Sequence, residues 1–224
     1  MSMKRTRAPS IASVLALAVI LVAITASRGT AQSVTYSGRA YGAQVKLVNP
    51  QPNVLFFSDT GNLPPSGGSL SATLVSIAVG NTLSSTTISA STQGSAGVAT
   101  STAHQENALA FSGQPAQVTA AIVESHSRAT CGGVTGSSVV TSLTFGGQAV
   151  TVTGQPNQTV VIANVATLII NEQISGSATD ITVNALHLFL GTGEEVILSS
   201  SHSDVACVVP TRPSTWGRIK AIYR

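Results

Sequence analysis

From about residue 32 onward, apolar and polar residues alternate with a period of two, and no long stretch carries the 3.6-residue period of an amphipathic helix. Tyr41, Ala43, Val45 and Leu47 alternate with Gly42, Gln44 and Lys46. Similar runs occupy 70–79, 94–104, 117–124, 138–145, 149–153, 159–163, 167–172, 181–190 and 195–199. Such strands must each bury one face against a second sheet. The pattern therefore predicts an all-β fold, an antiparallel, jelly-roll-like β-sandwich of about ten to twelve strands. A β-solenoid is the rival architecture, but it would show a fixed repeat of about 20 to 30 residues, and none is visible.

Turn chemistry supports the same reading. Gly146-Gly147 separates two short alternating runs, as a tight hairpin with positive φ requires. Gly191-Thr192-Gly193 does the same before 195–199. The segment 50–68 holds four prolines and three glycines, and it reads as an ordered loop crossing between sheets.

The first residues obey different rules. Lys4, Arg5 and Arg7 precede an apolar run at 11–26, followed by small residues ending Gly29-Thr30-Ala31. This is the layout of a secretory signal peptide cut between Ala31 and Gln32. The apolar run falls short of the ~20 residues that span a bilayer. The expected organisation is a leader at 1–31, a single β-sandwich domain at 32–210 and a short basic tail at 211–224. Extracellular, cell-surface or periplasmic export is the expected destination, with no stable membrane span after cleavage.

Removing the leader changes the electrostatics. Four of the eleven basic residues leave with it (Lys4, Arg5, Arg7 and Arg28), so the mature chain is nearly neutral, with an acidic body. That body lacks the basic footprint of a nucleic-acid binder. Only 8% of the residues are charged and 4% aromatic, so Ser, Thr, Asn, Gln and Gly must hydrate the strand faces. In an exported chain the two cysteines, Cys131 and Cys207, most simply pair with each other.

Candidate chemistry is sparse. Asp59-Thr60-Gly61 is the tripeptide of aspartic proteases, but those need two such carboxylates, and no second copy exists here. An Asx-type turn is the simpler reading. There is no GxSxG elbow, Walker loop or GxGxxG. His104, His126, His187 and His202 show no metal-ligand spacing on one strand face. No catalytic residue, metal or cofactor is expected. The distinctive positions are polar residues inside apolar strands: Asn171 and Glu172 after Ile169-Ile170, then Asn184 and His187 in Val183-Asn184-Ala185-Leu186-His187. Buried amides need partners, so Asn171, Glu172, Asn184 and His187 are expected to form a polar network that fixes register, or a binding site.

These stretches carry a family likeness. Ser37-Gly38-Arg39-Ala40-Tyr41-Gly42, then Asp59-Thr60-Gly61 with Leu63-Pro64 and Gly67-Gly68, then Asn171-Glu172-Gln173, and finally Val183-Asn184-Ala185-Leu186-His187 occur in this order. With them the chain resembles the choice-of-anchor P family of bacterial exported proteins. The resemblance implies a recurring secreted body joined to different C-terminal sorting signals, without assigned catalysis, so no catalytic residues carry over. Residues 211–224 hold no LPxTG-like or PEP-type motif and no final apolar helix. A freely secreted or periplasmic product of structural or adhesive type is therefore the expectation. A ligand-binding module, with carbohydrate as its partner, is the alternative. A cell-surface component, a glycan or a second copy are the partners considered.

Overall fold

The alternating runs form strands almost everywhere they are expected. The computed structural model describes residues 34–48 and 52–207; the leader and the tail at 211–224 lie outside them. In chain order the strands are β1 (Val34–Leu47), β2 (Asn53–Asp59), β3 (Gly68–Leu74), β4 (Ile77–Val79), β5 (Leu83–Ser85), β6 (Thr87–Ser95), β7 (Val98–Ala110) and β8 (Val118–Thr130). Then come β9 (Gly133–Thr141), β10 (Thr144–Phe145), β11 (Gln148–Ala149), β12 (Gln158–Ile162), β13 (Ala166–Ser177), β14 (Asp180–Leu190) and β15 (Glu195–Cys207). Sheet A has the order β12-β13-β14-β15-β1-β2. Sheet B runs β11-β10-β8-β7-β5-β4, with β9 also pairing β8, and β3 pairing β6 beside β7. All pairings are antiparallel, and the two sheets form a sandwich not closed into a barrel. Among the described residues there is no helix, hence none long and apolar enough to cross a membrane.

Three expectations need correction. The segment 50–68 is not all loop: Val54-Leu55-Phe56-Phe57 lies in β2 at the edge of sheet A, where the prolines flank the strand instead of interrupting it. The run 94–104 is two strands, because Ala96 and Gly97 take φ of 49° and 76° and turn β6 into β7. The run 149–153 contributes only Ala149 to a strand. The glycine hairpin at Gly146-Gly147 forms as expected, with φ of 60° and 76° joining β10 to β11.

A transverse dislocation organises both sheets. In sheet A the pairs Glu172↔Asn184, Asn184↔Ser200, Tyr41↔Ser200 and Tyr41↔Asp59 lie on one side of it. The pairs Ile170↔Leu186, Leu186↔Leu198, Ala43↔Leu198 and Ala43↔Phe57 lie on the other. One residue per strand is left out of the ladder between them: Asn171, Ala185, Ser199, Gly42 and Ser58. On alternate strands this residue is left-handed, with φ of 53° at Asn171, 56° at Ser199 and 52° at Ser58. Sheet B repeats the feature at Asn107, with φ of 50° between the pairs Glu106↔Ile122 and Ala108↔Ala120.

Left-handed backbone is costly for a non-glycine residue, and here side chains offset the cost by reaching across the sandwich. Ser58 Oγ donates to Ala72 O at 2.9 Å, and Ser199 Oγ donates to Val123 O at 2.8 Å. Asn171 Nδ2 donates to Gly154 O at 3.1 Å. Gln105 Nε2 donates to the carbonyl of Gly42. The dislocation is thereby stitched to sheet B and to the 154 turn.

It also divides the core. On one side lie large apolar residues, among them Val45, Leu83, Val118, Leu168, Leu186 and Leu198. On the other the filling is small: Ala40, Ala90 and Ala103, then Ala99, Ala129 and Val205. Between these small residues hydroxyls bond to one another and to backbone. Thr92 Oγ1 and Ser101 Oγ are 2.8 Å apart, Ser101 Oγ donates to His202 O at 2.6 Å, and Ser127 and Ser203 Oγ are 2.8 Å apart. Many hydroxyls expected on solvent faces are therefore inside. Small residues let the sheets approach, and these buried hydroxyls are tolerated because they find partners, whereas Ser125 and Ser201 Oγ are buried without one.

Gly42 is where this approach is tightest. A Cβ there would fall on Cγ2 of the fully buried Ile88. Gly42→Ala is expected to lower the unfolding free energy by about 1–3 kcal/mol through overpacking, read as a lower urea midpoint at unchanged slope. An unchanged midpoint would contradict this packing.

A candidate functional site on the outer face of sheet A

The same dislocation lays a row of polar side chains across the solvent face of sheet A. Register places Glu172, Asn184, Ser200, Tyr41 and Asp59 opposite one another on β13, β14, β15, β1 and β2. Beyond the dislocation, His187 pairs with Ile197, and Glu195 pairs with Lys46. Ala185 and Leu186 both face the core, so the alternation slips by one and turns Asn184 and His187 to the same outer face.

The side chains form one connected chain. Lys46 Nζ donates to Glu195 Oε2 at 3.1 Å. Glu195 Oε1 lies 2.8 Å from His187 Nε2, and His187 Nδ1 lies 2.7 Å from Glu172 Oε2. Asn184 Nδ2 donates to the same Glu172 oxygen at 2.6 Å, and Ser200 Oγ donates to Asn184 Oδ1 at 2.6 Å. Tyr41 stands opposite Ser200 in the ladder, next in the row. On the far side of Tyr41, Arg39 grips Asp59 with two bonds, Nε to Oδ1 at 2.9 Å and Nη2 to Oδ2 at 2.6 Å. The guanidinium lies 4.3 Å from the Phe56 ring centre, and Tyr41 meets Phe56 edge-on at 5.1 Å.

His187 is only 7% exposed. Burial works to lower its pKa, but hydrogen bonds and charge from Glu172 and Glu195 outweigh burial and hold it above the ordinary value. Burial likewise works to raise Glu172 and Glu195. Bonds from His187 and Asn184 to the first, and from His187 and Lys46 to the second, win and hold both carboxyls low. Asp59 is held low first by its hydrogen bonds from Arg39, against burial, with help from the Gly61 amide. Burial raises the Tyr41 phenol. The charged forms of His187, Glu172, Glu195 and Asp59 are thus favoured, as is the neutral form of Tyr41, and His187 and Lys46 stand as the counter-charges of the two glutamates.

The signs give a pH profile. The raised imidazole contributes stability fully below its ordinary value of 6.5, and the contribution is lost as pH rises through the folded value. The lowered glutamates contribute fully above their ordinary value of 4.5, and that contribution is lost as pH falls. The network is therefore strongest between 4.5 and 6.5. Thermal unfolding followed across pH is expected to show a maximum in that interval, with the alkaline decline reduced in His187→Gln.

Chemically, the arrangement holds a proton and does not offer one. Both His187 nitrogens face carboxylates, so neither is free to act as a general base on a bound molecule. Asp59 accepts from Arg39 and from the Gly61 amide at 2.9 Å, the Asx-type turn expected from its sequence, and among the described residues it has no bonded carboxylate with which to share a proton. Among the described residues no group of three or more His, Cys, Asp or Glu is placed to hold a metal ion.

Of the four residues singled out in sequence, Glu172, Asn184 and His187 meet in this row. Asn171 does not: it is 2% exposed, turns away with the dislocation, and bonds to Gly154 O and to Gln173 Nε2. Arg39, Tyr41, Lys46, Asp59, Glu195 and Ser200 join the row without having been expected there. The hairpin at Gly191-Thr192-Gly193 was the one available signal, since it sets Phe189 opposite Glu195 and so brings Glu195 near His187. Cys131 and Cys207 are bonded, with Cα atoms 5.8 Å apart. No family model, curated protein or solved structure matches the chain.

Proposed function

We propose that this is an exported bacterial protein of the choice-of-anchor P type, whose sandwich does structural or adhesive work outside the cytoplasm and not catalysis. One observation supports the reading above others. Each of the four dispersed stretches that carry the resemblance contributes a residue to one row (Arg39, Asp59, Glu172, then Asn184 and His187), and that row satisfies its charges internally instead of leaving an acid, base or nucleophile for a substrate. A surface module needs such a self-sufficient scaffold; an active site needs an unfilled one. The Cys131–Cys207 bridge fits an oxidising compartment. Expression of the full chain in a bacterial host tests the reading. A product outside the cytoplasm that begins at Gln32 and lacks two hydrogens by intact mass is the expected result. A cytoplasmic product with the leader retained and two free thiols would overturn it.

A second reading, ligand binding with carbohydrate as partner, is favoured by a depression on the outer face of sheet B. It is lined by Thr100, Thr102, His126, Arg128, Thr135 and Ser137.

A further inference from the structure

We infer that this depression binds the carboxylate of a uronate-bearing polysaccharide, with Arg128 as the anion-gripping residue; the inference rests on the carbohydrate reading. Register puts Thr100, Arg128 and Thr135 in one row across β7, β8 and β9, and Thr102, His126 and Ser137 in the next. The depression between them has a volume of about 400 Å³, room for one or two sugar rings.

Charge selects the ligand. Arg39 is held by Asp59 and Lys46 by Glu195, whereas Arg128 has no carboxylate partner among the described residues. Among the described residues no acid lines the depression. The acid next along β8, Glu124, is engaged by His104 Nδ1 at 2.7 Å and by His126 Nε2 at 3.5 Å, so His126 stands between it and Arg128. A planar guanidinium matches a carboxylate with two parallel bonds. Around it, four hydroxyls can each donate and accept, as sugar hydroxyls require. Among the described residues no Phe, Tyr or Trp lines the site, so the broad stacking platform that neutral sugars rely on is missing and the anion must supply the specificity.

The test uses the full chain recovered after export, titrated with polygalacturonate oligomers and, in parallel, with their methyl esters, which keep the backbone and lose the charge. Saturable binding is expected for the acid form, weakened about tenfold or more by esterification and by Arg128→Gln. Arg128→Lys should fall between, since it keeps the charge and loses the fork. Because Arg128 is exposed, an unchanged unfolding midpoint should accompany these losses. Equal binding of the methyl ester, or full binding by Arg128→Gln, would overturn the Arg128 assignment and leave the carbohydrate reading standing. Absence of binding to either form would overturn both.

Discussion

Opening the Cys131–Cys207 bridge, by reductant or by the paired change Cys131→Ser and Cys207→Ser, is expected to lower the unfolding free energy by about 4 kcal/mol. The two residues are 76 apart in sequence, so the bridge closes a long loop, and long loops lose most entropy when cross-linked in the unfolded chain. Its position adds to the effect. Cys131 follows β8 in sheet B and Cys207 ends β15 in sheet A, so the bond ties the sheets at the end where the core is thin. There the apolar filling is Ala99, Ala129 and Val205, with Val34, Tyr36 and Val134 packed beside them. Little burial is available to replace the covalent link. Denaturant unfolding with and without reductant measures the change, and amide exchange should show the strand ends near Thr130 and Val205 opening first. An unchanged midpoint would mean that the sheets do not depend on the bridge.

Replacing His187 with alanine is the second large effect, expected to cost about 3 kcal/mol. The loss is not simply that of two hydrogen bonds. Glu172 and Glu195 would remain as mostly buried carboxylates, with their shared cation gone and only Asn184 and Lys46 still bonded to them. A useful contrast follows from the same reasoning. The triple change Glu172→Gln, His187→Leu and Glu195→Gln leaves no unpaired charge, so it should cost less than His187→Ala alone. If the single change proved milder than the triple, the imidazole would not be serving as the counter-charge.

The fold class was readable because period-two alternation and glycine hairpins are local. Leu143 to Val150 and Ile181 to Leu198 declare their strands and turns within a few residues. The dislocation was not readable. It depends on five residues, Ser58, Gly42, Ser199, Ala185 and Asn171, aligned only once the strands have paired, and a serine with φ near +55° leaves no mark in sequence. The same holds for the interior hydroxyls. Ser101, Ser127 and Ser203 look like solvent-facing residues until the second sheet approaches closely enough to bond them. At the site, Glu172, Asn184 and His187 stood out because polar groups interrupt apolar strands. Arg39 and Asp59 bond across strands 20 residues apart, and Lys46 and Glu195 are 149 apart, so only the folded register joins them. The slip that turns Asn184 outward also turns Asn171 inward, and this explains why one of the four expected residues left the group.

The direct test is the titration of His187, read from long-range proton–nitrogen correlations of the imidazoles across pH, with its signals assigned by their loss in His187→Gln. A lock built from two carboxylates around one imidazolium predicts that both His187 nitrogens keep their protons to higher pH than an ordinary histidine does, with titration above 6.5. A ring that loses its second proton at or below 6.5 would contradict it.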